Sequence, residues 1–344
     1  MTPLDRAIHA LIDGDGDFDE VALRVFAHQR EQSAIYGRLC ATQPPPACAA
    51  EIPAVPIEAF RRLELRTFPS ARTVAEFRSS GTTDTARSRH AFDSLELYRH
   101  AALAGFRAAL CPSGRARILS LIPDASARPD SSLSRMVSWV LAAIGTADSA
   151  VIADNEASPA EWLGAELARS NDPPLVLGTA FGLVTLFESA PSLRFPVGAR
   201  LMETGGFKGV RRELSRDACF ELYAGAGVPV SHVVGEYGMA ELSSQWYDAV
   251  VGQGAPAEAR VYVPPPWART RVVDPVSGAD VAPGTDGLLL HLDPVNRGSA
   301  LAVLTHDVGT RVAGAGQGPT RDGFVYRGRA SEALLKGCGL VDEA

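Results

Sequence analysis

Apolar residues recur with a helical period along the first forty positions. Leu4, Ala7, Ile8 and Leu11 share one face, and Phe18, Val21, Ala22, Val25 and Phe26 repeat the stripe after the turn GDGD. This predicts two N-terminal helices, the second begun by Asp17 or Asp19. The prolines of ATQPPPACAAEIPAVPIEAF argue for an extended connector, and Ile57 to Leu65 reads as a short helix. From about residue 91 the pattern alternates. The amphipathic LELYRHAALAGFRAAL leads into the short apolar run RILSLIP, suited to a buried strand, and SSLSRMVSWVLAAIG is again helical behind Ser131 or Ser132. The alternation continues through AVIAD, SPAEWLGAELARS with Ser158 as cap and Pro159 at its first position, PLVLGTA, FGLVTLFESA, ARLMETGG, SRDACFELYAGAG behind Ser215, and VSHVVGEYG. Strands alternating with helices predict a largely parallel α/β sheet, whose ligands collect beyond the carboxyl ends of its strands. After about residue 255 the segments RVYVPPPWARTRVVDP, GLLLHLD and ALAVLTHD are β-rich and broken by Pro and Gly, which predicts a smaller antiparallel sheet or barrel. The expected organisation is a helical N-terminal cap over 1–75, an α/β core over 76–254, a β-rich subdomain over 255–312 and a C-terminal tail over 313–344.

Composition narrows the functional classes. The chain has 344 residues, of which 46% are hydrophobic and 21% charged, enough for a sizeable core and about two domains. A net charge of −7 argues against a general nucleic-acid binder. No apolar run approaches the roughly 18 residues of a membrane span. The acidic start, MTPLDRAIHALIDGDGDFDE, lacks a signal-like apolar segment, so a cytoplasmic location is expected. Cys40, Cys48, Cys111, Cys219 and Cys338 are widely spaced and include no CxxC, which disfavours a disulfide framework or a zinc site. Cys338 stands apart in a Gly-rich polar context, whereas the other four read as small core hydrophobes. Lys208 and Lys336 are the only lysines. The sequence carries no GxSxG elbow, which disfavours an acyl hydrolase.

Three predicted strand ends or loops carry chemistry. In FRSSGTTDTARSRH, residues 77–90, the run Ser79, Ser80, Gly81, Thr82, Thr83 is small and hydroxyl-rich, and Arg87, Arg89 and His90 follow as a basic cluster. Gly81 lets backbone N–H groups turn toward one point, and the hydroxyls and arginines then surround an anion such as polyphosphate. A plain polar surface loop has the same composition. The other two are TGGFKG and GEYGMAELSSQ. Lys208, Arg211 and Arg212 after the double glycine suit either a phosphate or a solvated turn.

In chain order, FRSSGTTDTAR, GEYGMAEL, LTHDVGTR and DGFVYRGRASEALLKGCG resemble the motifs of the superfamily of acyl-CoA synthetases, adenylation domains and firefly-type luciferases. IPAVPIEAFRRLEL, SLIPDASARPDSSLSRM, METGGFKGVRRELSR and GEYGMAELSSQWYD look like its acyl-protein synthetase branch, the fatty-acid ligase component of bacterial luminescence systems. The resemblance covers nearly the whole chain. It implies the N-terminal domain of an adenylate-forming enzyme: layers around a parallel sheet plus a smaller β-rich subdomain, with the C-terminal lid absent or vestigial and the tail hinge-like. It also implies ATP-dependent activation of a carboxylic acid as an acyl-adenylate, then transfer to a thiol. Ser79, Ser80, Gly81, Thr82 and Thr83 would wrap the β- and γ-phosphates, with Arg87 in place of the loop lysine. Thr204, Gly205, Gly206, Glu236, Tyr237, Gly238 and Met239 would line the nucleotide, with Tyr237 on adenine. Glu241 would hold Mg2+, Asp307 the ribose hydroxyls, and Arg329 would close over ribose or phosphate.

The same resemblance implies acceptors: the chain's own cysteine, a partner protein, CoA or a carrier protein, with a reductase or transferase as possible partner. Cys338, with Lys336 favouring its thiolate, sits where the luminescence branch carries an acylated cysteine. Phe181, Gly182 and Met202 are expected around the acid. Two departures bear on activity. Ala240 stands where the superfamily has threonine, and loses a hydrogen bond worth about 1.5–3 kcal/mol if charge-assisted, which Ser243 or Ser244 could replace. Asp84 replaces a glycine beside the polyphosphate. The alternatives are an acyl-CoA or acyl-carrier-protein ligase, or a non-catalytic nucleotide- or acyl-adenylate-binding subunit of a reductase or transferase complex.

Overall fold

Local capping sets the first elements. In the computed structural model, which describes residues 1–79, 87–205, 214–316 and 321–330, helix α1 (Pro3–Ile12) opens on a Thr2–Asp5 capping box with Pro3 in its first turn. Helix α2 (Phe18–Gln32) is capped by Asp17, one of the two acids its sequence offers, and Ser33 caps the short α3 (Ala34–Leu39). The two-residue strand β1 (Val55–Pro56) precedes α4 (Ala59–Arg62). This helix is shorter than Ile57 to Leu65 because Leu63 is already extended, at φ −127° and ψ 151°. Strands β2 (Ala75–Arg78) and β3 (Arg89–Phe92) pair as an antiparallel hairpin.

Helix α5 (Glu96–Leu110) carries the chain from one compact unit, Met1–Ala101 with Met239–Ser244 and Val261–Ala344, into a second, Ala102–Gly238 with Gln245–Arg260. The second unit alternates as its sequence predicts: β4 (Ile118–Ser120), α6 (Ser132–Ala143), β5 (Ala150–Val151), α7 (Pro159–Arg169), β6 (Leu175–Thr179), α8 (Ala180–Ser189), β7 (Arg200–Thr204), α9 (Arg216–Gly225), β8 (Val233–Tyr237) and β9 (Trp246–Tyr247). Ser131, Ser158 and Ser215 accept the cap hydrogen bonds of α6, α7 and α9, and Thr179 does so for α8. The strands order as β5-β4-β6-β7-β8-β9, parallel except for β9. Val176, Leu201 and Val233 from this sheet pack with Leu163, Leu183 and Tyr223 from α7, α8 and α9, all six without solvent exposure. Truncating such a leucine to alanine costs about 2–5 kcal/mol, so this layer fixes the strand ends firmly.

The first unit closes with β10 (Arg269–Val273), β11 (Asp286–Leu292), β12 (Ala302–Val312) and β13 (Gly323–Arg329), an antiparallel sheet of the kind the β-rich texture predicts. Its other edge is unexpected. β1 joins β12 in parallel, matching Val55 with Val303 and Pro56 with Leu304. Proline tolerates an edge position because it has no N–H to contribute to a ladder.

Candidate functional site

In the second unit, the carboxyl edge of the parallel sheet gathers five of the predicted residues. Register sets Thr179 of β6 beside Thr204 of β7, and Thr204 beside Glu236 of β8. The chain leaves β7 through Gly205 at φ +70°, and a Cβ built there would meet no atom of the described residues within 4 Å. Glycine adopts this conformation without strain, and no described residue crowds it. Glu236 is only 5% exposed and accepts a hydrogen bond from the Thr204 hydroxyl. It lies so close to Gly238 that a Cβ on that glycine would come within 2.5 Å of Oε1. Burial pushes the Glu236 carboxyl up to about 7, against the opposing pull of Thr204. Near neutrality the group therefore exists in both forms and can donate as well as accept. The buried ring of Tyr237 meets Trp246 edge-on, with centroids 6.2 Å apart.

Successive side chains of a strand point to opposite faces, so Glu203 turns away from Thr204. Its Oε1 accepts from Arg216 Nε and Nη2 at 3.2 and 3.1 Å, and Tyr223 donates to its Oε2 at 3.1 Å. Arg216 also bonds Asp248, which accepts from Arg260 Nη1 at 3.1 Å and from the Gly235 N–H at 2.7 Å. Burial pushes the Glu203 carboxyl up, and the Arg216 guanidinium draws it back. This closed network packs β7, β8 and α9 together.

In the first unit, the segment 239–244 carries Met239 and Glu241 and is held mainly through groups the sequence did not single out. Asn296 Nδ2 donates to the Glu241 carbonyl at 2.8 Å, and the Ser243 N–H donates to Asp293 Oδ2 at 2.9 Å. Ser244 Oγ donates to Asp293 Oδ1 at 2.8 Å and accepts from Trp267 Nε1 at 3.0 Å. Burial pushes the Asp293 carboxyl up to about 6. His90 corrects an expectation. It is not part of a charged cluster with Arg87 and Arg89: it is buried, and burial pushes its pKa down to about 4, which leaves it neutral. Its Nδ1 lies 2.9 Å from the Ala240 carbonyl, which only accepts, so Nδ1 carries the proton and Nε2 accepts from Ser299 Oγ at 2.8 Å. The Ser244 hydroxyl, already donor and acceptor, is not spare for the threonine lost at Ala240. The signal for this frame lay in the DPVN turn, where Asp293 caps a short 3-10 helix, but its partners are distant in sequence.

Two further pairs form in the first unit. At the base of the β2–β3 hairpin, Arg87 Nε donates to the Ser79 carbonyl at 2.7 Å, and the Ser88 N–H donates to Ser79 Oγ at 2.9 Å. Asp307 and Arg329 face each other across β12 and β13, with Oδ1 and Nε 3.6 Å apart. Ser80, Gly81, Thr82, Thr83, Gly206, Lys336 and Cys338 lie outside the described residues, as do Asp84, Lys208, Arg211 and Arg212. Of the residues expected around the acid, Phe181 is 42% exposed, whereas Met202 is completely buried and is core.

Solved structures share this architecture. A 2-hydroxyisobutyryl-CoA ligase, in an open conformation with 2-HIB-AMP and CoA, matches with a TM-score of 0.65 at 15% identity, over 90% of this chain and 69% of that one. The amide bond synthetase McbA from Marinactinospora thermotolerans gives 0.52 at 17% identity, over 78% of this chain and 51% of its own. The ATP-bound RpMatB-BxBclM chimera B3 gives 0.50 at 15% identity, over 75% and 48%. The chain has the adenylate-forming enzyme fold. At these identities the likeness is one of fold, and against the latter two structures the chain spans about half their length. No protein-family model and no curated protein matches the sequence.

The residues of this fold that the sequence nominated suit their expected ligands chemically. Gly205 offers a backbone uncrowded by the described residues, Thr204 and Glu236 offer a hydroxyl and a titratable carboxyl, and Glu241 is a carboxylate of the kind Mg2+ prefers.

Proposed function

We propose that the chain activates a carboxylic acid with ATP and passes the acyl group to a thiol. An oxygen of the acid attacks the α-phosphorus, the bond to pyrophosphate breaks, and the acyl-adenylate forms. A thiolate then adds to the acyl carbon and AMP leaves with the bonding pair. The observation that carries this reading is the carboxyl edge of the parallel sheet, where a positive-φ Gly205, uncrowded by the described residues, adjoins the buried Thr204–Glu236 pair. In a parallel sheet ligands collect at that edge. Gly205 and Gly206 would let the backbone approach the nucleotide, Tyr237 would face the adenine beside Gly238 and Met239, and Glu236 would hold its hydrogen-bonding groups. Asp307 would take the ribose hydroxyls and Arg329 the adjoining phosphate. Ser79, Ser80, Gly81, Thr82, Thr83 and Arg87 would surround the outer phosphates. Mg2+, held by Glu241, would supply charge neutralisation. Catalysis then consists of positioning and charge stabilisation, with no enzyme–phosphate bond.

Within this reading the acceptor divides the acyl-protein synthetase from the CoA or carrier-protein ligase. Cys338, beside Lys336, supports the first. The CoA in the similarly folded ligase supports the second. Ala240, with no hydroxyl, is the one residue that favours a binding subunit without catalysis. ATP–pyrophosphate exchange across a panel of aliphatic and aromatic acids tests the proposal. Acid-dependent exchange that Glu241→Ala abolishes is expected, and tight ATP binding with no exchange for any acid would establish the binding subunit instead. In active protein, hydroxylamine-sensitive label that disappears in Cys338→Ser marks the chain's own thiol as acceptor, and AMP release stimulated by CoA marks the ligase.

A further inference from the structure

His9 and Asp13 stand four residues apart at the C-terminal end of α1, and His100 reaches them from α5. His9 Nδ1 lies 3.0 Å from Asp13 Oδ2, and His100 Nε2 lies 2.7 Å from Asp13 Oδ1. The two imidazoles are stacked, with centroids 3.8 Å apart and planes within 14° of parallel. One donor atom from each of the three residues lies within 4.8 Å of the others. The cluster is open to solvent, with side-chain exposures of 32% for His9, 47% for Asp13 and 30% for His100. We propose that His9, Asp13 and His100 bind one borderline divalent cation of the zinc class, which ties α1 to α5.

Three features of the cluster support this. Two imidazole nitrogens and one carboxylate oxygen form a three-ligand set that zinc accepts, with water in the fourth place. Bonds of about 2.0–2.2 Å place tetrahedral donors about 3.3 Å apart, and the three donor atoms, already within 4.8 Å of one another, reach that spacing once the two rings turn out of their stack toward one point. Calcium and magnesium, which take oxygen donors, do not suit the two nitrogens. The surroundings also favour a cation: Asp13 is the C-cap of α1, at the negative end of the helix dipole, and the acidic run DGDGDFDE continues from it. Without a cation one carboxylate faces two parallel rings that repel when both are protonated. With it, residues 87 apart in sequence are linked in the folded chain, and the binding free energy adds to stability.

The test is Zn2+ titration of the full, untagged chain by calorimetry after chelator treatment, with Mg2+ in excess to fill hard-cation sites, alongside thermal melts. One Zn2+ per chain is expected, with a melting temperature that rises with Zn2+ concentration. His100→Gln and Asp13→Asn should each weaken binding by about 100-fold or more, beyond the 10–100-fold that loss of an outer partner costs. Co2+ in place of Zn2+ should give visible d–d absorption that His100→Gln removes. If His100→Gln does not fold, His9→Gln is read in the same way. Absence of stoichiometric binding, or equal affinity in the variants, overturns the proposal.

Discussion

Glu203 and Glu236 are buried carboxyls on adjacent strands of one sheet, and their surroundings are opposite. Glu203 faces two donors of Arg216 and the hydroxyl of Tyr223, and the network closes through Asp248 and Arg260. Glu236 has the Thr204 hydroxyl and the bare backbone of Gly238. Burial pushes both carboxyls up; Arg216 and Tyr223 draw the first back and tie it into the framework, whereas the second has the Thr204 hydroxyl against it and rises to about 7. Such a difference between neighbours separates a residue that holds the fold from one available for chemistry.

The contrast breaks most visibly on the framework side. Asp248→Ala leaves Arg216 and Arg260 without their shared carboxylate and the Gly235 N–H without an acceptor. It should cost about 3–5 kcal/mol in chemical denaturation, the usual effect of removing one partner of a buried ion pair. A loss below about 1 kcal/mol would mean that the network contributes little.

Glu236→Gln acts next, through pH. The folded carboxyl holds its proton up to about 7, against an ordinary value of 4.5. Its contribution to stability is therefore fully present below about pH 4.5 and is lost as pH rises through about 7. The drop amounts to about 3 kcal/mol by linkage. Denaturation of both proteins at pH 5 and pH 8 should show that Glu236→Gln loses about that much less than wild type over the interval. Equal losses in the two proteins would place the titration elsewhere. The smallest effect is expected from Thr204→Val, which removes a hydrogen bond worth about 0.5–1.5 kcal/mol. Its diagnostic readout is the Glu236 titration, which should move further upward.

Much of the frame was legible because it is local. Asp17, Ser131, Ser158 and Ser215 cap the helices they precede, and the β/α alternation fixes which strand ends lie together. The nominations Thr204, Gly205, Glu236, Tyr237 and Gly238 fall at one edge for the same reason. What was not legible depends on distant partners. β1 is two residues long and pairs with Val303 and Leu304. His90 looked cationic among arginines, yet its state is set by burial and by Ala240 and Ser299. Nothing around Glu236 in sequence announces a raised carboxyl, because the cause is desolvation by residues brought together only on folding. Glu203 and Asp248 were overlooked for the same reason, since the arginines that compensate them arrive from α9 and from Arg260.

The most direct measurement is a carboxyl NMR titration of Glu236 with and without ATP. In the free protein the inflection should lie near 7, and ATP should displace it if the nucleotide occupies the site proposed at that strand edge. An inflection in the ordinary carboxylate range that ATP leaves unmoved would contradict both the contrast between the two glutamates and the site proposed on it.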